Sequence, residues 1–292
     1  MRRSIRLMEL KPGYNVKLEV IRKANFGYFL SDGSSDILLH EREAKEGIEI
    51  GDTLDVFLYH DHQGRLAATM EKPILQLGEV EWLEAVEVKT GHGVFFHNGI
   101  SRDLFLSMDE LPYDREQWPK PGDKLPLSLT WDKRGRLMAK LVKGEPVEKT
   151  AIKAPKEMMN KEVSGHVYHF LDEGALLLTD ERYIAFLHND EMNGIPRYGE
   201  YITARVQFVR EDGRLNVTMN PLRSEQQEED AERIYAFLQE RGGSMPYWDK
   251  TPPEDIELRF SISKAKFKRA LGKLMKEKKI EQRDGWTHIK KS

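Results

Sequence analysis

Phe26-Gly27-Tyr28-Phe29-Leu30-Ser31-Asp32-Gly33-Ser34-Ser35-Asp36-Ile37-Leu38-Leu39-His40 is the stretch on which the rest of the chain is read. Alternation places Phe26, Tyr28 and Leu30 on one side of a strand and Gly27 and Phe29 on the other. A turn falls at Ser31-Asp32-Gly33, and Ile37 to His40 return as the second strand of a hairpin. Most aromatics in strands are packing residues. A ring left on an open sheet face beside a histidine is, however, also a platform for a nucleic-acid base. By alternation alone Phe29 is the ring on the open face and Phe26 shares the core side. Both reach one ligand only if the strand bends, which Gly27 permits.

Landmarks around this hairpin recur twice more. Gly51-Asp52, Gly122-Asp123 and Gly199-Glu200 each open an apolar strand that runs into a turn and a Gly-Arg-Leu, at Gly64, Gly135 and Gly213. The spacings within the units are 13, 13 and 14 residues, and the units advance by 71 and 77. That period fits small domains rather than solenoid repeats. His40 and His188 both lie 11 residues before their Gly-Asp or Gly-Glu pair, closing Asp36-Ile-Leu-Leu-His40 and Ile184-Ala-Phe-Leu-His188.

The pattern resembles the S-one-type RNA-binding domain, a five-stranded barrel of the OB-fold class. In the first unit Gly13, Phe26-Gly27-Tyr28-Phe29, His40, Gly51-Asp52, Asp61 and Arg65 match that family's signature. The resemblance implies that Phe26, Phe29, His40, Asp61 and Arg65 form an RNA-facing surface. In the second unit Phe95, Asp132 and Arg136 are kept, His92 replaces the first ring and Ser107 the histidine. In the third, Glu173-Gly174-Ala175-Leu176 has lost both rings, while His188 and Arg214 remain.

Composition narrows the function classes. The chain has 292 residues, room for roughly two to four domains, and no cysteine, which excludes disulfides, thiolate zinc sites and cysteine nucleophiles. No apolar run approaches the ~20 residues of a membrane span, so a cytoplasmic protein without membrane contact is expected. The net charge of −3 gives no global basic field, so any nucleic-acid site must be a local patch.

Turn and proline punctuation divides the chain at 1–73, 74–142 and 160–222 for the three barrels, 143–159 for a linker rich in Lys, Glu, Pro and Ala, and 223–292 for a last module. There, Ala231, Ile234, Tyr235 and Leu238 line a helix that Gly242-Gly243 ends. A short helix follows Pro252-Pro253. A third is capped by Ser263, with Phe267, Ala270, Leu271, Leu274 and Met275 as its buried stripe and Lys266, Arg269, Lys273 and Lys276 opposite. Ile280 to Ile289 reads as a hairpin turned at Asp284-Gly285. Residues 225–257 carry three basic and ten acidic side chains, and residues 258–292 carry twelve and three. Three helices and a hairpin resemble a winged helix. The expected fold is therefore mostly β with a C-terminal α+β module: three five-stranded OB-fold barrels and one winged-helix domain.

Barrels in this order before a winged helix resemble the bacterial conserved virulence factor B (YitL-like) family. The most specific stretches are Pro196-Arg197-Tyr198-Gly199-Glu200, Arg210-Glu211-Asp212-Gly213-Arg214-Leu215-Asn216-Val217 and Phe260-Ser261-Ile262-Ser263-Lys264-Ala265-Lys266-Phe267-Lys268-Arg269-Ala270-Leu271-Gly272. The resemblance implies a regulator of gene expression that binds RNA and has no catalytic centre. On this reading the first two barrels stack unpaired bases, and the third barrel with the winged helix adds phosphate contacts. Two readings compete with it: an adaptor whose barrels bind the ribosome, polymerase, a nuclease or other RNA-processing proteins, and an unrecognised metal-dependent nuclease using carboxylates read here as solvent-facing. Phosphate-cradle, dinucleotide and His-Glu-x-x-His motifs are absent, His60-Asp61-His62 reads as a polar turn, and the acidic pairs fall in turns, so neither cofactor, metal nor enzymatic activity is expected.

Overall fold

Short apolar-alternating runs separated by Asx and glycine turns build β structure up to residue 219. The computed structural model describes residues 10–221 and 223–290. The first sheet comprises β1 (Asn15–Ala24), β2 (Gly27–Ser31), β3 (Asp36–His40), β4 (Thr53–His60) and β5 (Leu66–Thr69). It pairs in the order β1-β2-β3-β5-β4, and β4 pairs back on β1, closing the sheet around Leu18, Val20, Leu30, Leu39, Val56 and Leu58. Closure removes the free edges that an open sheet exposes. The circuit recurs in β6 (Glu81–Lys89), β7 (Gly93–Phe96), β8 (Leu104–Ser107), β9 (Lys124–Trp131) and β10 (Leu137–Leu141). It recurs again in β11 (Glu162–Leu171), β12 (Gly174–Thr179), β13 (Ile184–His188), β14 (Tyr201–Val209) and β15 (Leu215–Thr218), where β14 closes on β11.

The three sheets share two irregularities. Each first strand bulges, between Val20 and Arg22, Ala85 and Glu87, and Val167 and His169, which adds one residue and sharpens the bend. Each second strand opens on a glycine, Gly27, Gly93 or Gly174, paired with His40, Ser107 or His188. A Cβ at these glycines would run into the carbonyl oxygen of Leu39, Leu106 or Leu187. The third strand approaches there so closely that only glycine fits.

Contacts within Met1–Met219 make one unit of the three sheets. Buried Asn98 accepts from the Leu75 N–H at 2.7 Å and donates to its carbonyl, and Trp131 Nε1 donates to the Pro12 carbonyl at 3.0 Å. Phe57, Tyr59 and Ala67 of the first sheet pack with Ile100, against Leu137 of the second. Tyr198 is buried in the core of the second sheet although it lies in the third segment. Beside it, Arg197 Nε donates to Asp123 at 3.1 Å. Within residues 143–159, expected as a linker, α1 (Glu145–Glu148) buries Val147, and Ala154 is buried as well. The low apolar content that suggested a tether hides the fact that its one valine is a core residue.

The second unit, Asn220–Ser292, contains α2 (Arg223–Glu240), β16 (Ser244–Met245), α3 (Pro253–Phe260), α4 (Lys264–Lys276), β17 (Ile280–Arg283) and β18 (Trp286–Ile289). This is the element order of a winged helix. The wing turns at Asp284-Gly285, and both residues have positive φ, as a tight hairpin requires. Ile234, Leu238, Ile256, Phe260, Phe267, Ala270, Leu271 and Leu274 form its core. Met275 is exposed, contrary to the stripe read from spacing, because eight residues of helix rotate it about 80° from Phe267. The two-residue β16, which pairs with β18, is too short to show any period. Among the described residues no helix is long and apolar enough to cross a membrane.

Candidate nucleic-acid interface

Phe26 precedes β2 rather than lying in it, so strand alternation does not govern its ring. Turned by Gly27, Phe26 stands beside Phe29, centroid to centroid at 6.2 Å and edge-on at 76°. Phe26 is 49% exposed and outside the core, which corrects its expected place beside Tyr28 and Leu30. Arg22, opposite Phe29 across the bulge, lays its guanidinium 3.8 Å over that ring. His40 borders the patch through its pairing with Gly27, and its Nδ1 accepts from the Arg42 N–H at 3.2 Å. The histidine thus caps the turn after β3. Ser107 and His188 cap the corresponding turns of the other two sheets, which explains how serine substitutes for histidine.

Asp61 is used up by its own turn. One carboxylate oxygen accepts from the Gln63 and Arg65 backbone N–H groups, and the other from Arg65 Nε and Nη2 at 2.9 and 2.7 Å. Burial works against its charge, but these hydrogen bonds and the guanidinium hold the carboxyl below the usual range. Asp132 and Arg136 repeat the arrangement. Both aspartates therefore aim an arginine and are not themselves open contacts.

A groove of about 360 Å³ runs between the first and second sheets. It collects Asp61 and His62 from one turn, His92, Phe95 and Phe105 from the second sheet's face, and Arg102 and Arg136 at its border. Phe95 and Phe105 lie opposite each other on β7 and β8 with ring centroids 4.9 Å apart. Phe105 escapes the motif reading, yet Leu104-Phe105-Leu106 alternates and marks it as outward-facing. Arg22 was legible only with the bulged register in hand. Among the described residues no three His, Asp or Glu side chains gather into a group that could hold a metal.

Known family models match this chain in four segments. The S1 domain covers residues 12–71, the CvfB first S1-like domain 80–140, the second domain of virulence regulatory factor CvfB 147–221, and the CvfB-like winged helix domain 232–289. The sequence is 42% identical over 282 residues to the protein of Bacillus subtilis named uncharacterized protein YitL, covering 97% of this chain and 95% of the relative. The chain belongs to the conserved virulence factor B family. It is also 30% identical over 284 residues to conserved virulence factor B of Staphylococcus epidermidis, covering 93% and 95%. A crystal structure from Streptococcus pneumoniae, described as a multidomain protein with nucleic acid binding domains, is similar over 96% of this chain and 98% of its own, at 31% identity and a TM-score of 0.65.

In this member of the virulence factor B family the remaining expected contacts are differently placed. Arg210 stands where the other turns have Asp61 and Asp132, and the aspartate of this turn that faces Arg214 is Asp212, which accepts from the Arg214 N–H at 3.0 Å and lies 3.7 Å from its Nε. Its Nη2 also donates to Glu148 at 2.7 Å. In the winged helix Lys273 is bound by Glu228 of α2 at 2.8 Å, so it faces the acidic helix. Lys266 is half-buried at the Ser263 cap. Arg269 and Lys276 are exposed as expected, with Lys268 beside them.

Proposed function

We propose that the protein is an RNA-binding regulator that holds single-stranded RNA by stacking bases on Phe26 and Phe29 and on Phe95 and Phe105. Arg65, Arg136 and the exposed cations of α4 supply phosphate contacts, and the RNA is held without being cleaved. The observation that carries this reading is the inter-sheet groove, where a pair of rings packed at a tilt, histidines and arginines line one wall-to-wall space. Stacking platforms with cationic borders suit single strands, whose bases are free of a partner. Similarity to a structure with nucleic acid binding domains supports the same reading. Fluorescence anisotropy with single-stranded and duplex RNA at several salt concentrations tests it. Preference for the single strand, affinity falling with salt, and oligonucleotides intact after incubation with magnesium are expected. Salt-independent or absent binding would favour the adaptor reading, and cleavage that persists through repurification and is lost on mutating an acidic pair would show a nuclease.

The winged helix provides a separate test. Lys268→Glu with Lys276→Glu should lower the log–log salt slope by about one to two, one phosphate contact for each cation, with a similar loss for every sequence. Lys273→Glu should instead lower the melting temperature, because it sets like charges beside Glu228 and Glu277. An unchanged slope in the folded double variant makes this face the ordinary solvated side of an amphipathic helix.

A further inference from the structure

Beside the groove, the joint between the first and second sheets carries a second ring pair that does not line it. Tyr14, just ahead of β1, and Trp131, the last residue of β9, stand with ring centroids 6.1 Å apart and planes tilted by 33°. Both are fastened: the Leu58 N–H of β4 donates to the Tyr14 carbonyl at 3.0 Å, and Trp131 Nε1 donates to the Pro12 carbonyl. Rings that serve this joint as packing are covered, Phe57 to 1% exposure and Tyr59 to 8%, whereas Tyr14 and Trp131 each keep 38%. Trp131 is in register with Leu137, and such cross-strand partners share a face with their Cβ atoms about 5 Å apart. Leu137 is a wall of the groove, so the pair begins one residue beyond it. The turn after Trp131 is Asp132-Lys133-Arg134-Gly135-Arg136, in which Arg136 lines the groove and Lys133 and Arg134 are exposed at the tip. His60 and Val209 hold the register place of Trp131 in the other two sheets, so the ring is peculiar to the second.

We infer that Tyr14 and Trp131 form a further stacking subsite, which takes one base of a single RNA strand where it leaves the groove past Arg136, with Lys133 and Arg134 on the adjoining phosphates. This subsite extends the RNA reading of the groove and rests on it. The indole N–H is spent on Pro12, so Trp131 offers a base its π face and no hydrogen bond, which makes the subsite tolerant of sequence. That bond and the Tyr14 ring hold the indole in place before RNA arrives, so little rotamer freedom is lost on stacking. Aromatic faces bordered by cations match a single strand, whose bases are unpaired and whose phosphates are charged.

Trp131→Phe and Trp131→Leu in the full chain test the subsite, because both lose the bond to Pro12 and only the second loses the ring. For a single-stranded RNA dodecamer, Trp131→Phe should bind within about threefold of the parent and Trp131→Leu about 5- to 150-fold more weakly, the range for one stacked base. In the parent labelled with fluorinated tryptophan, the fluorine resonance missing from Trp131→Phe should move when the RNA is added, while that of buried Trp118 stays. Equal affinities for the two variants, or an unmoved Trp131 resonance, overturn the subsite and leave the groove standing where Phe95→Leu still weakens binding. If Phe95→Leu also binds as tightly as the parent, the RNA reading of the groove fails and the subsite falls with it.

Discussion

Phe26→Ala is expected to weaken single-stranded RNA binding by the full chain by roughly 1–3 kcal/mol, about 5- to 150-fold, with the salt slope unchanged. The ring stands outside the barrel core and is half-exposed, so its removal deletes a stacking surface without opening a cavity. Its neighbour is less open to a base, because Arg22 already lies on one face of Phe29. Phe29→Ala should therefore also cost affinity, but it frees Arg22 and part of the loss returns as a phosphate contact. Titration at three salt concentrations separates stacking, which is insensitive to salt, from charge, which is not. If Phe26→Ala binds as tightly as the parent chain while its melting temperature holds, stacking on the first sheet fails and the adaptor reading gains. A fall in melting temperature with intact affinity would return Phe26 to a packing role.

Tyr198→Ala should lower stability by about 3–5 kcal/mol, the cost of truncating a large buried aromatic. The ring lies in the core of the second sheet and packs on Phe170 of the third at 4.8 Å. Its N–H donates to the Gln117 carbonyl, and the flanking Arg197 bridges Asp123 and Glu200. The substitution thus removes the ring that joins the two small cores at this point. In a chain with Trp248 and Trp286 replaced by Phe, tryptophan fluorescence reports on Trp82, Trp118 and Trp131 of the second segment, and its urea transition should part from that of far-ultraviolet dichroism once Tyr198 is truncated, where the two coincide with Tyr198 intact. Coincident transitions with a loss under about 1 kcal/mol would mean that the joint rests elsewhere.

Where residues act through local chemistry, the sequence was legible. The turns at Ser31-Asp32-Gly33 and Asp284-Gly285, the Ser263 cap and the recurring Gly-Arg-Leu all lie where the chain was read to have them. What escaped depends on tertiary partners. Period-two reasoning put Phe26 on the wrong side because it treated a residue one position before the strand as part of it. Lys273 looked like its neighbours on a helical wheel, and only the docking of α2 shows that Glu228 neutralises it. The segment 143–159 read as a tether because composition counts apolar residues and cannot say that its one valine is buried.

The glycine that opens the second strand bears on how a duplicated domain drifts. Gly27, Gly93 and Gly174 meet the same carbonyl obstacle, although the ring at the following contact position is Phe29, then Phe95, then absent. Closure of the barrel and possession of a ligand platform are thus written in adjacent but independent positions. A copy can shed its rings by single substitutions without losing its shape. Glycine kept and rings lost, read together in any one sequence, mark a repeat whose shape has outlasted its stacking platform.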